Sequence, residues 1–154
     1  MTPAIDQLIK LGITYQIHEY THASSAVSYG MEAAQKMGVV SQRVFKTLVV
    51  DAGNKRLAVA VLPVDQQLNL KLMAKAIGAK KASMADPGEV SRSSGYVLGG
   101  VSPIGQKRGL TTVIDISAEA FESIYVSGGR RGLEIELAAR DLATVTEGQF
   151  AAIT

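Results

Sequence analysis

Phe45-Lys46-Thr47-Leu48-Val49-Val50-Asp51, a turn at Ala52-Gly53-Asn54, and Arg56-Leu57-Ala58-Val59-Ala60-Val61-Leu62 form the clearest hairpin in the 154-residue chain. Apolar, β-branched runs of this length, broken by glycine and asparagine, favour paired strands over a helix. The segments around the hairpin are of mixed kind. Thr2 can cap a helix with Pro3 at its first position, Ile5, Leu8 and Ile9 at helical spacing, and Gly12 as its stop. Residues 13–20 alternate like a half-buried strand, and 29–37 read as a helix closed by Gly38. Asn69 caps a helix through Ile77, with Gly78 as its stop. Residues 81–85 read as a short strand, and Asp86-Pro87-Gly88-Glu89 opens a helix with capping-box-like spacing. Strands are expected at 112–116, 123–127 and 132–137, and one or two short helices within 138–152.

Helices interspersed among hairpins, without strict βαβ alternation, predict a mixed sheet or barrel in preference to a doubly wound fold. The length suits one domain, and 47% hydrophobic residues supply its core. Charged residues are 19%, below the ~25% of an average soluble domain, which argues against disorder. No run of ~18 uncharged apolar residues exists for a membrane span, and Asp6 and Lys10 interrupt the N-terminus where a signal segment would lie. A soluble, cytoplasmic protein is the expectation.

The chain has no cysteine, which excludes disulfides, thiolate metal sites, iron–sulfur clusters and a cysteine nucleophile. It has two histidines, His18 and His22, too few for a three-histidine metal site, and no GxSxG elbow. His18 on its alternating segment reads as a satisfied or exposed histidine. Charge is uneven: residues 71–108 hold seven basic residues against two acidic, and residues 109–154 hold three against seven. A phosphate-bearing partner could use the basic stretch, although solvated helix faces explain it as well.

Eight of the 15 glycines fall between 95 and 132, in two clusters, Gly99-Gly100-Val101-Ser102-Pro103-Ile104-Gly105 and Ser127-Gly128-Gly129-Arg130-Arg131-Gly132. Such clusters let backbone N–H groups converge on an anion or carbonyl oxygen, or simply make tight turns with positive φ. Lys46 opens a strongly apolar strand, where partial shielding suits it to anions or carbonyl oxygens, or to snorkelling from a strand end. Glu134 and Glu136 lie two apart on one strand face, with Arg130, Arg131 and Arg140 near in sequence, a pattern that also fits a solvated face with ion pairs.

Together, Met1-Thr2-Pro3-Ala4, Phe45-Lys46-Thr47-Leu48, Met84-Ala85-Asp86-Pro87, Gly99 through Lys107, and Ile124-Tyr125-Val126-Ser127-Gly128-Gly129 with Arg131-Gly132-Leu133 resemble the YbaK family. These are free-standing relatives of the editing domain of bacterial prolyl-tRNA synthetase, and the resemblance runs through essentially the whole chain, 1–154. It implies a partly open mixed β-barrel of about six strands flanked by helices. It also implies metal-independent, cofactor-free hydrolysis of a mischarged aminoacyl ester at the 3′ acceptor end of tRNA, Cys-tRNA(Pro) first and Cys-tRNA(Cys) after it, with prolyl-tRNA synthetase as a partner.

Carried over by the resemblance, Lys46 is the functional lysine, and Tyr20, Tyr29, Thr47, Gly99, Ser127 and Glu134 are the substrate-binding positions; Gly100 joins them because the Gly99-Gly100 segment is expected to line the acyl pocket with its backbone. Tyr29 stands where the family carries phenylalanine and Glu134 where it carries aspartate. With no protein nucleophile in view, the substrate's own thiol is the expected attacker, and Lys46 with the backbone N–H groups near Gly99 and Gly100 its oxyanion partners. An Ala-tRNA(Pro) deacylase and a non-catalytic tRNA- or synthetase-binding module are the alternatives.

Overall fold

The computed structural model of the chain describes residues 1–23 and 29–154. Among these residues there are five α-helices and eight strands. The order is α1 (Pro3–Leu11), β1 (Gln16–Glu19), α2 (Tyr29–Met37), β2 (Phe45–Asp51), β3 (Leu57–Pro63), α3 (Leu70–Ala76), β4 (Ser83–Met84) and α4 (Pro87–Ser94). Then follow β5 (Thr111–Asp115), β6 (Ile124–Ser127), β7 (Leu133–Leu137), α5 (Ala139–Thr146) and β8 (Gln149–Ala151), with short 3-10 turns at Ser41–Arg43 and Ile116–Ala120.

Helix ends follow the local chemistry. Thr2 Oγ1 accepts from the Ile5 N–H, Asn69 Oδ1 from the Leu72 N–H and Asp86 from the Gly88 N–H, each satisfying a donor with no intrahelical partner. The capping-box spacing at Asp86–Glu89 is not used as such: Glu89 instead binds Arg92 at 2.6 Å on the next turn. No helix among the described residues is long and apolar enough to cross a membrane.

The strands form two sheets. One has the order β1-β7-β6, all antiparallel; the other has the order β4-β2-β3-β5-β8, with β3-β5 and β5-β8 parallel. β3 is apolar throughout because both its faces are covered. Leu57, Val59 and Val61 enter a core shared with β6, β7, α1 and α5, while Ala58, Ala60 and Leu62 pack with Met73 and Ile77 of the α3 region. A third cluster joins Ala33 and Ala34 of α2 to Val44, Val64 and Tyr125.

Two expectations are corrected and a third is met with an addition. The six-stranded, partly open barrel is instead eight strands in two sheets that are not closed on each other, bridged in the backbone at Val44–Tyr125. A pair of strands adjoining at one residue cannot carry a continuous ladder around the core. The strand expected at 13–20 spans only Gln16–Glu19, ending where Gly132 accepts the Tyr20 N–H. The tail holds one helix, as expected, and then a strand the sequence did not announce: α5 stops at Glu147 (φ +52°), and β8 exists by pairing with β5. Three residues carry too little periodicity to announce such a strand.

Candidate active site

β2 and β3 alternate hydrogen bonding so that Val44 and Ala52 bond across to the β3 side. Phe45, Thr47 and Val49 therefore turn their backbone groups to the opposite edge. There Val49 accepts from the Ala85 N–H at 3.0 Å, and β4 pairs only at Val50 and Asp51. Between this short strand and the Val44–Tyr125 bridge the β2 edge has no hydrogen-bonded strand partner among the described residues, and a cavity of about 490 Å³ opens along it. Its wall includes Tyr20, Lys46, Thr47, Ser127, Arg131 and Glu134. Tyr29, Met84 and Leu98 also line it, each 40–50% exposed, which gives the mouth an apolar rim of the kind found at ligand sites.

Seven of the eight expected site residues line this one cavity: Tyr20, Tyr29, Lys46, Thr47, Gly99, Ser127 and Glu134. Burial holds the Lys46 ammonium below the ordinary lysine value, against a weaker opposing effect of Asp65. Burial, then the nearby Glu134 and Glu32 carboxyls, push the Tyr20 hydroxyl up to about 12, so it stays a neutral donor. Thr47 Oγ1 is inaccessible to solvent and has no hydrogen-bond partner among the described residues. Glu134 is 7% exposed, and burial alone raises its carboxyl to about 8.

Gly100 departs from its expected role. A Cβ there would meet the Arg130 Cα at 2.9 Å, so this glycine lets two loops pack backbone to backbone, and its N–H is spent on the Val97 carbonyl. It cannot serve as an oxyanion donor in this arrangement. Gly99 lines the cavity with φ +87°, and a Cβ would meet the Arg131 guanidinium at 2.5 Å and the Tyr29 ring at 2.9 Å. Much of the first glycine cluster is turn-building: Tyr96 Oη donates to the Ile104 carbonyl at 2.6 Å, and Ser102 Oγ accepts from the Ile104 N–H.

Neither histidine reaches the cavity as a base. His18 Nε2 meets Glu136 at 2.9 Å, and His22 Nδ1 meets Glu32 at 2.6 Å. The ion-pair expectation for the acidic strand is right at Glu136, but its partners are His18 and Arg43, not Arg130, Arg131 or Arg140. Arg130 pairs with Glu19. Arg131, named in the sequence for its glycine cluster, its nearness to the acidic strand and the family motif, covers the Tyr29 ring at 4.0 Å. Nothing local could have placed it there, since the two residues are distant in sequence.

An open strand edge flanked by a shielded lysine and a buried carboxyl sets a cationic group and a carboxyl on the wall of one cavity, in a mixed α/β domain. Residues 25–145 match the aminoacyl-tRNA editing domain family, and the chain belongs to it. It is 38% identical over 142 residues, 92% of this chain and 86% of the other, to an Enterococcus faecalis protein named "Putative Cys-tRNA(Pro)/Cys-tRNA(Cys) deacylase EbsC". It is 30% identical over 92 residues, 59% of this chain and 55% of the other, to an Escherichia coli protein named "Multifunctional Ser/Thr-tRNA deacylase ProXp-y". A solved structure described as a "putative trans-editing enzyme for prolyl tRNA synthetase" shares the fold, with a TM-score of 0.85, 22% identity, and 100% and 98% of the two chains covered.

Proposed function

We propose that the whole chain, 1–154, is one editing domain that hydrolyses the ester of mischarged Cys-tRNA(Pro), and of Cys-tRNA(Cys) after it. The observation that carries this reading is the single cavity of about 490 Å³ that gathers Lys46, Thr47, Tyr20 and Glu134 along an unpaired strand edge, in a chain of the aminoacyl-tRNA editing family. Lys46 is the catalytic residue in this reading. Its cation, shielded from bulk water, holds the terminal phosphodiester or polarises the ester carbonyl. The Thr47 backbone N–H, on the free edge of β2, replaces that of Gly100 as the second oxyanion donor.

The attacking group in this reading belongs to the substrate. Both histidines are held by carboxylates away from the cavity, and the chain has no cysteine. The cysteinyl thiol loses its proton, the sulfur bonds to the ester carbonyl carbon, and the bond from that carbon to the ribose oxygen breaks. The ribose oxygen leaves as a hydroxyl after taking a proton, and water then opens the strained cyclic thioester to free cysteine. A free thiol has a pKa of about 8.5, so some thiolate is present at neutral pH, and alignment within one molecule lowers the barrier by several kcal/mol.

A second reading rests on the Escherichia coli relative named as a Ser/Thr-tRNA deacylase: a hydroxyl-bearing substrate, which needs an activated water. Deacylation of Cys-, Ala-, Ser- and Pro-tRNA(Pro), with S-methylated Cys-tRNA(Pro) as control, separates the readings. Loss of Cys-tRNA(Pro) alone, abolished by methylation, is the expected result. Rapid loss of Ser-tRNA(Pro) or of the methylated substrate overturns the thiol mechanism, alanyl hydrolysis supports the Ala-tRNA(Pro) alternative, and no hydrolysis at all leaves a binding module. The overall charge of only +2 implies weak affinity for tRNA unaided, so prolyl-tRNA synthetase is the proposed partner that supplies tRNA selection. Equal discrimination among tRNAs with and without the synthetase would count against that partnership.

A further inference from the structure

Glu134 is the most deeply buried charge-bearing side chain on the cavity wall, and no hydrogen bond or ion pair holds its carboxyl among the described residues. Its neighbours across the ladder are Ser127 on β6 and His18 on β1. Ser127 Oγ is engaged with the Gly129 N–H, and His18 turns to Glu136. The basic side chains that share the cavity are committed or distant: Arg130 pairs with Glu19, Arg131 lies over Tyr29, and Lys46 makes no ion pair with Glu134. Burying a carboxyl without a partner is costly, and folds rarely keep one unless something outside the chain completes it. Thr47 Oγ1, on the strand edge that lines the same cavity, is a second buried polar atom with no partner among the described residues.

The complement of a recessed carboxyl is a compact N–H donor, cationic or able to become so. The acylated 3′ end of a tRNA carries one such group, the α-amino group beside the ester carbonyl. We propose that Glu134 reads the free α-amino group of the aminoacyl ester, so that the cavity admits esters with a free amine and rejects N-acylated ones. This rests on the deacylase reading above and makes Glu134 a specificity-determining residue. An acylated nitrogen has one donor fewer, carries no charge, and brings an acyl group that the recess beside Tyr20 and Ser127 must also hold.

The protonation states support the pairing. An α-amino group titrates at about 7.7–8.0, and Glu134 at about 8, so near pH 7 both arrive protonated. Their ion pair holds one proton fewer than the separated groups, so binding releases about one proton. Lys46, Arg130, Arg131 and Tyr20 face the same space; none has to change protonation for this step.

The test uses the intact chain and two non-hydrolysable probes, 3′-amino-3′-deoxyadenosine joined by an amide to cysteine, one with a free α-amine and one N-acetylated. Calorimetry at pH 7 in buffers of different ionisation enthalpy reads affinity and proton release together. The wild type is expected to bind the free-amine probe about 10-fold or more tightly than its acetylated twin, the size expected for a hydrogen bond to a charged group, with proton release. Glu134→Gln should erase both the preference and the proton release, and Glu134→Asp should restore part of the preference. Equal affinities in the wild type, a preference that survives Glu134→Gln, or no binding of either probe would each overturn the inference. Hydrolysis of Cys-tRNA(Pro), measured alongside, scores the deacylase reading separately: it can fail while the amine preference holds, and it can succeed while that preference is absent.

Discussion

Glu134 and Glu136 stand two residues apart on β7, leave the same face of the strand, and have carboxyl pKa values shifted in opposite directions. Burial raises Glu134 to about 8. The Ser123 hydroxyl, then His18, with Arg43 adding its charge, hold Glu136 below the ordinary value, although some burial works against them. One end of the face opens on an unpaired cavity and the other is closed by donors, which is all that separates the two residues.

The raised Glu134 carboxyl makes the folded state bind a proton that the unfolded chain has released. Its contribution is complete below the ordinary value of 4.5 and is lost as pH rises to about 8. Thermal stability should therefore decline across this window in the wild type. Glu134→Gln should flatten that decline by at least about 1 kcal/mol, roughly 2–4 °C in a chain of this size, when melting is followed from pH 5 to 9.

Glu136 has the opposite sign. Its contribution is present above the ordinary value and is lost as pH falls through its lowered folded value. Glu136→Gln should cost about 1–2 kcal/mol at neutral pH, in line with losing charge-assisted hydrogen bonds, and should flatten the acid limb of the melting curve. Probe binding in the cavity should be unchanged, because this carboxyl faces Ser123, His18 and Arg43.

Lys46→Ala should reduce deacylation by roughly 100-fold or more while moving the melting temperature little, since the side chain is half-buried at the open edge of β2. A variant that turns over near the wild-type rate would remove Lys46 from the mechanism.

Gly99→Ala combines a left-handed backbone, φ +87°, with a Cβ driven into the Arg131–Tyr29 pair. A loss of about 1–2 kcal/mol in stability is expected from the backbone alone, so lost activity in this variant measures conformation as well as pocket shape. Gly100→Ala should also lower the melting temperature, because its Cβ meets the Arg130 backbone. Urea unfolding of both variants, beside their kcat and KM, apportions the effects.

Arg131→Ala removes the cation that lies 4.0 Å from the Tyr29 ring centroid at the mouth of the cavity. An exposed pair of this kind contributes about 0.5–1 kcal/mol, so KM should rise about two- to five-fold with kcat nearly unchanged. Tyr29→Phe keeps the ring and should behave like the wild type in the same assay.

Elements with local causes were legible in the sequence. Thr2-Pro3, Asn69 and Asp86-Pro87 start helices because a side-chain oxygen and a fixed φ act within three residues. The β2–β3 hairpin is likewise a local object, and the lack of cysteine excluded whole classes of chemistry before any fold was known. The resemblance drew seven cavity residues from four separate stretches of chain, yet nothing in their spacing showed that they meet.

What the tertiary structure alone decided are the features that depend on partners far along the chain. β8 is a strand only because β5 lies beside it, and the two sheets stay separate because β4 covers two residues of β2 and β6 touches one. Glu134 and Glu136 look alike to any reading of sequence, since both alternate outward from the same strand. Their different fates arise from Ser123, His18 and Arg43 at one end and an open cavity at the other. Propensity and capping act over a few residues and can be read from them; desolvation and ion pairing depend on what the fold brings within a few ångströms, and only the folded chain specifies that.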